Sequence, residues 1–200
     1  FDNVIRLLRE AAIDPEVEEI KMTLYRVARR SQVVNALINA ARNGKKVFAS
    51  IELQARFDEK NNIKISEALT ESGATVVYGV PPMKVHCKLL LIKGKRTRLA
   101  GLSTGNYNEA TARQYVDTAL LTSDKRLTDE VDLVFDYLDA ASKMRAVTAP
   151  RFKHLLVSPF NTRKVFLKLL NREKKKGKRG YVFLKVNHLT DEKITDRLRE

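Results

Sequence analysis

One cysteine, Cys87, excludes an internal disulfide and fits a reducing compartment, so a cytoplasmic setting is expected. No apolar run approaches the roughly 18–20 residues that cross a bilayer, and no basic-then-apolar leader opens the sequence. Histidine is scarce, with three residues: His86, His154 and His188. Acidic side chains are also in deficit, 24 Asp+Glu against 38 Lys+Arg, for a net charge of +14. A field of that sign favours anionic partners such as nucleic acid, an acidic membrane, nucleotides or inorganic phosphate chains, without choosing among them. The chain opens on Phe1 rather than Met and stops at Glu200 inside a helical pattern, so it reads as a piece of a longer polypeptide.

Across the 200 residues, 44% are hydrophobic, enough for a packed core of one domain or somewhat more. The charge is uneven. Residues 148–200 carry 15 basic and 5 acidic side chains, a net of +10 out of +14, much of it in REKKKGKR at 172–179. Such a run reads either as a solvated loop or as a polyanion contact.

Val4, Leu7, Leu8 and Ala11 fall at helical spacing, and IKMTLYRVA (20–28) then reads as a strand. Ser31 caps a helix with Val34, Leu37, Ile38 and Ala41 on one side, which ends at Asn43-Gly44 before a near-continuous apolar strand over 46–53. The alternation repeats with a helix over 61–72, strands in ATVVYGV, VHCKLLLI and TRLAGL, a strand over 117–122 and a helix from 124 to about 140. This order predicts an α/β fold, a layered domain with a mostly parallel sheet, and a boundary within 141–150. The expected domains are 1–147 and 148–200. FDNVIRLLRE is echoed by FNTRKVFLKLLNRE, and IKMTLYRVARRSQVVNAL by VFLKVNHLTDEKITDRL, which suggests a duplicated α/β unit whose second copy is cut off; any two α/β segments share features of this kind. Two-copy folds build sites between copies, so half a site is expected here.

On a strand, His86 and Lys88 share one face while Val85 and Cys87 take the other. A neutral imidazole is a nucleophile toward phosphorus, and an adjacent ammonium neutralises phosphate oxygens and discourages ring protonation. By itself the spacing equally describes a packed or solvated histidine. Arg26 and Arg56 follow strands at the edge where open α/β sheets bind ligands, and their forked donors suit phosphate; each alone also suits a surface ion pair. The stretch GLSTGNYNEATARQY (101–115) gathers Ser103, Thr104, Asn106, Asn108, Thr111 and Arg113 around Gly105, as anion donors or as turn chemistry.

With these pieces the chain resembles polyphosphate kinases of the phosphohistidine type. The resemblance runs through DPEVEEIKMTLYRVA, NGKKVFASIELQARFDEKNN, YGVPPMKVHCKLLLI, STGNYNEATARQYVDTALLT and LLVSPFNTRK, in the family's order. It implies a phospholipase D-like domain followed by the start of a second, similar one. His86 is then the phosphohistidine nucleophile assisted by Lys88. Arg26 and Arg56 match the magnesium-nucleotide site, Tyr115 matches a nucleotide contact, and Asn106 lies among the nucleotide-binding candidates. The implied cofactor is Mg²⁺, which a guanidinium cannot ligate, so both arginines would hold the phosphates that carry it. The implied partners are ATP/ADP and inorganic polyphosphate, with no specific nucleic acid, and the parent is expected to be a cytoplasmic homo-oligomer whose membrane association is open. Polymer synthesis by the piece itself is not expected.

Two alternatives stand beside this. Phospholipase D-like phosphodiesterases carry HxK, four residues and then Asp, where this chain has Lys93. A basic polyanion-binding module would act through the second segment, indifferent to His86.

Overall fold

The computed structural model describes residues 1–52, 59–80, 83–144, 148–186 and 188–200. Its contacts divide the chain into two compact units, Phe1–Thr148 and Ala149–Glu200.

The first unit is built on six strands: β1 (Val17–Leu24), β2 (Lys46–Ile51), β3 (Thr75–Tyr78), β4 (Lys88–Gly94), β5 (Arg98–Ser103) and β6 (Ala119–Thr122). They pair in the order β3-β2-β1-β4-β5-β6. Helices α1 (Asp2–Ile13), α2 (Gln32–Arg42) and α3 (Glu59–Glu71) alternate with the early strands, and α4 (Lys125–Ser142) closes the unit.

Period-two alternation divides the core between the two faces of the sheet. Ile20, Met22, Leu24, Val47, Ala49, Ile51, Leu90 and Ile92 pack with α1, α2 and α3 residues such as Leu8, Leu37 and Leu69. The opposite face meets α4, where the rings of Phe48 and Phe135 lie 5.9 Å apart, edge to face. There Lys21 is buried against Asp132 at 2.7 Å, and Lys93 and Arg98 converge on the same carboxylate at 2.9 and 2.5 Å. Burial pushes the Asp132 carboxyl up, yet the Lys21 and Lys93 ammoniums outweigh it and hold the group below its ordinary value.

The layered α/β architecture is as expected, and the parallel expectation holds for β1, β2 and β3. It fails beyond β1, because β4 runs antiparallel to β1, and β5 and β6 continue antiparallel. The reason lies in the connections. A parallel crossover takes a dozen or more residues and usually a helix, whereas nine residues separate β3 from β4 and three separate β4 from β5.

Local signals place the helix ends. Ser31 Oγ accepts the Val34 N–H at 3.3 Å as the α2 cap, and Gly44 after that helix takes φ +78°, a conformation open to glycine. The strands next to the site are shorter than expected: β1 ends at Leu24 and β4 begins at Lys88, rather than at 28 and 85. Side chains take the backbone groups that a ladder would otherwise satisfy. Asn62 Nδ2 donates to the Tyr25 carbonyl, Asn61 Nδ2 to the Val27 carbonyl, and the Val85 N–H donates to Glu52 Oε2.

In the second unit, α5 (Thr162–Lys174) and α6 (Glu192–Arg199) form as expected, and Asp191 caps α6 by accepting the Ile194 N–H. The expected strand around VFLKV is not formed. Val182, Phe183, Leu184 and Val186 are exposed, and no other strand among the described residues of this unit offers them a ladder. The helical half of the internal echo is therefore present, and the strand half is not.

Candidate active site

The mixed sheet brings several chain ends to one edge. Leu24 and Ile51 are in register at the carboxyl ends of β1 and β2, and Lys88 at the amino end of β4 pairs with Ser103 at the carboxyl end of β5. Because β4 runs against β1, the segment before Lys88 meets the segments after Leu24 and Ile51. Arg26, His86, Lys88 and the 104–118 loop thus belong to one edge.

His86 lies two residues before β4, in an extended segment held from both sides. Thr23, buried on β1, donates from Oγ1 to the Cys87 carbonyl at 2.8 Å and accepts the Leu89 N–H at 2.8 Å. The buried Glu52 carboxylate takes the Val85 N–H at 2.9 Å. Asn62, fully buried, donates from Nδ2 to the carbonyls of Tyr25 and Glu52, both at 3.0 Å, and so ties the β1 and β2 exits together.

Within this frame the His86–Lys88 pair is made. Lys88 Nζ stands 3.0 Å from Nδ1 and 3.2 Å from Nε2 of the imidazole, and it donates to the His86 carbonyl at 2.6 Å. The Tyr25 ring meets the imidazole edge-on with centroids 4.8 Å apart, and its centroid lies 5.2 Å from the ammonium. Lys88 is buried while His86 is exposed, so a concealed charge is set beside an accessible ring.

The electrostatics follow from this placement. Partial loss of water around the ring, then the charges of Lys88 and Arg26, hold His86 below its ordinary value, which keeps the imidazole neutral at pH 7. Burial brings Lys88 down to about 8; Arg26 adds to the fall and Asp117 opposes it. A neutral imidazole has one free lone pair. Lys88 cannot receive that pair while it attacks an electrophile, so an arriving anion must draw the ammonium onto its own oxygens.

The 104–118 loop divides between structure and availability. Thr104 donates to Asp117 Oδ1, Ser103 Oγ accepts the Gly105 N–H, and Asn108 Oδ1 accepts the N–H groups of Ala110 and Thr111. A Cβ on Gly105 would collide with the Asp117 carboxylate, so the close approach needs glycine. Ser103, Thr104, Asn108 and Thr111 are therefore turn chemistry. Glu109 anchors the loop by accepting from Ser31 Oγ and the Gln32 N–H at the α2 N-terminus. Asn106 is half-buried, with Oδ1 making no hydrogen bond to a described residue, and Arg113 is exposed. Tyr115 is 66% exposed on the same loop. Arg56 lies outside the described residues.

Thr23, Tyr25, Glu52, Asn62 and Asp117 were not singled out from the sequence. Thr23 carried a readable signal, a lone hydroxyl in an otherwise apolar strand end. Asn62 and Asp117 act through contacts that no spacing announces.

Comparison with known proteins decides the family. Residues 1–144 match the description "Polyphosphate kinase C-terminal domain 1" and residues 155–200 match "Polyphosphate kinase C-terminal domain 2". Over 99% of its length the chain is 44% identical to the polyphosphate kinases of Salmonella typhimurium and Escherichia coli K12, and 45% identical to that of Vibrio cholerae. The chain belongs to the polyphosphate kinase family. It spans 29% of the length of the Salmonella and Escherichia relatives. The crystal structure of the Porphyromonas gingivalis polyphosphate kinase aligns at a TM-score of 0.83 and 45% identity, covering 98% of this chain and 33% of that one. Nuc, a phospholipase D family member of Salmonella typhimurium, shares the fold at a TM-score of 0.54 and 16% identity, covering 70% of this chain and 91% of that one.

Two features of the chain bear on the diesterase alternative and on metal binding. Lys93, where the diesterase pattern has Asp, is an anchor of the α4 network, bound to Glu19 and Asp132 at 2.9 Å each. Among the described residues no group of three His, Cys, Asp or Glu side chains could hold a metal ion. Among the described residues, no helix is long and apolar enough to cross a membrane.

Proposed function

We propose that this chain supplies the phosphohistidine centre of an ATP–polyphosphate phosphotransferase. The observation that carries the reading is the accessible imidazole of His86 with the Lys88 Nζ 3.0 Å from its Nδ1. In the forward direction the free lone pair of His86 attacks the terminal phosphorus of ATP. A nitrogen–phosphorus bond forms, the bond to the bridging oxygen breaks, and ADP leaves with that electron pair. A terminal oxygen of the polyphosphate chain then attacks the same phosphorus, the nitrogen–phosphorus bond breaks, and the imidazole regains its lone pair. Run backwards, the same steps make ATP.

Lys88 and Arg26 spread the negative charge of the transferring group, and burial makes the Lys88 charge count for more than it would in water. Arg56, Tyr115 and Asn106 complete the proposed nucleotide contacts. Mg²⁺ would arrive on the nucleotide, because this edge offers cations and amides rather than a carboxylate cage; bound there, it would neutralise phosphate charge.

The full-length polypeptide incubated with γ-labelled ATP should acquire a label stable to alkali, lost in acid and absent from His86→Ala. Labelling that persists in His86→Ala would overturn the assignment.

A further inference from the structure

We infer that the outer face of α5, in the second unit, is a seat for the inorganic polyphosphate chain. The identity of the polyanion rests on the phosphotransferase reading; the seat itself rests on the geometry of this unit. An open groove of about 760 Å³ runs along α5, bordered by Arg163, Lys164, Lys168, Arg172, Lys175 and, from α6, Lys193. Lys164, Lys168 and Arg172 follow at four-residue steps, so one cation projects per turn, about 6 Å apart along the axis.

Ion pairs with described residues account for two of these six charges. Lys174 and Arg197 are bound to Glu200, and Lys176 is bound to Glu173. In the groove Arg163 is bound to Asp191, and Arg172 reaches Glu173 at 3.7 Å. The ammoniums of Lys164, Lys168, Lys175 and Lys193 make no ion pair or hydrogen bond to any described residue. Like charges at four-residue spacing weaken a helix, and Lys164 lies in the first turn, where the helix dipole disfavours a cation. Both penalties would reverse if a chain of negative charge lay in the groove.

The lining favours a polyphosphate over a nucleic acid. Single strands are held by positive grooves together with aromatic faces on which bases stack. Among the described residues that line this groove, Phe160 alone is aromatic, and its ring packs against Phe152 with centroids 5.8 Å apart. A polymer with charge on every repeat and no bases to seat needs only the cations.

The test uses the whole chain and sodium polyphosphate of defined length. A quadruple variant, Lys164→Gln, Lys168→Gln, Arg172→Gln and Lys175→Gln, is compared with a charge-matched control, Lys174→Gln, Lys176→Gln, Lys178→Gln and Arg179→Gln. The groove variant should bind at least about tenfold more weakly, with a salt dependence flatter by about three in log–log slope, while the control stays within about threefold of the parent. Equal losses in both variants would mean diffuse attraction and overturn the seat, as would an unchanged groove variant. A single-stranded oligonucleotide of equal charge that binds as tightly would overturn the choice of polyphosphate. Lysine acetylation of the unaltered chain guards against misfolding of the variant: polyphosphate should protect Lys164, Lys168 and Lys175 more than Lys174 and Lys176, and uniform protection would count against the seat. His86→Ala should leave this binding intact, so failure of the phosphohistidine and failure of the groove are separately visible.

Discussion

Thr23 Oγ1 accepts the Leu89 N–H at 2.8 Å, and so joins β1 to the residue that follows Lys88. The same hydroxyl donates to the Cys87 carbonyl, which leaves the backbone on either side of Lys88 fixed by one side chain. Thr23→Val keeps the shape and removes both bonds. Leaving a buried donor or acceptor unmet costs about 1–3 kcal/mol, so a lower melting temperature is expected. The loss of phosphohistidine formation should appear in kcat more than in the KM for ATP, and Thr23→Ser should recover most of it. Equal kinetics for Thr23→Val and the parent would remove Thr23 from the positioning of this pair.

The pH dependence of His86 phosphorylation should be bell-shaped. Falling pH protonates the imidazole, but its pKa lies below the ordinary 6.5, so activity should persist past that point before it fails. Rising pH discharges Lys88 near 8, well before a free lysine would lose its proton. Initial rates from pH 5 to 10 measure both limbs. An alkaline limb near 10.5 would show that Lys88 keeps an ordinary lysine's affinity for its proton.

Lys88→Met removes the buried ammonium and keeps much of the stem. Loss of one preorganised donor at developing charge costs about 10²–10³-fold in rate, so labelling should slow by that order. Arg26 should not rescue it. His86 should titrate at a higher pH in this variant, because one of the charges that depress it has gone. An NMR titration of the imidazole reads that shift directly.

Asp132 answers for stability rather than chemistry. It receives Lys21, Lys93 and Arg98 between α4 and the sheet, and breaking a buried pair by removing one partner costs about 3–5 kcal/mol. Asp132→Ala should approach that range in denaturant unfolding. The carboxyl is held below its ordinary value, so its contribution is complete above the unfolded pKa of 3.8 and is lost as pH falls through the lower folded value. The unaltered protein should therefore lose stability on acidification in that window, and Asp132→Ala should lose less.

Much of the frame was legible in the sequence. Helical periodicity, the Ser31 cap and the Asn43-Gly44 stop found α2, and the apolar runs found β1, β2 and β4. The short turn at 95–97 made the antiparallel β4–β5 pair legible, whereas the direction of β4 against β1 was not, because 3.6- and 2-residue periods report which face is buried and say nothing of which way a neighbour runs. The His86–Lys88 spacing named the pair, although a period-two strand was the wrong support for it: His86 precedes β4 and is aimed by Thr23, Tyr25 and Glu52 from elsewhere in the chain. Glu52 and Asn62 were illegible for the same reason, since their partners lie up to 37 residues away. The 181–186 segment reads as a strand by composition and does not form one, because a strand exists only against a partner.

The most direct test of the account is to map the phosphoryl group after brief exposure of the full-length polypeptide to ATP, by mass spectrometry under fragmentation that preserves nitrogen–phosphorus bonds. The phosphate should be found on His86. A phosphate on His154, His188 or a hydroxyl residue, with His86 unmodified, would contradict it.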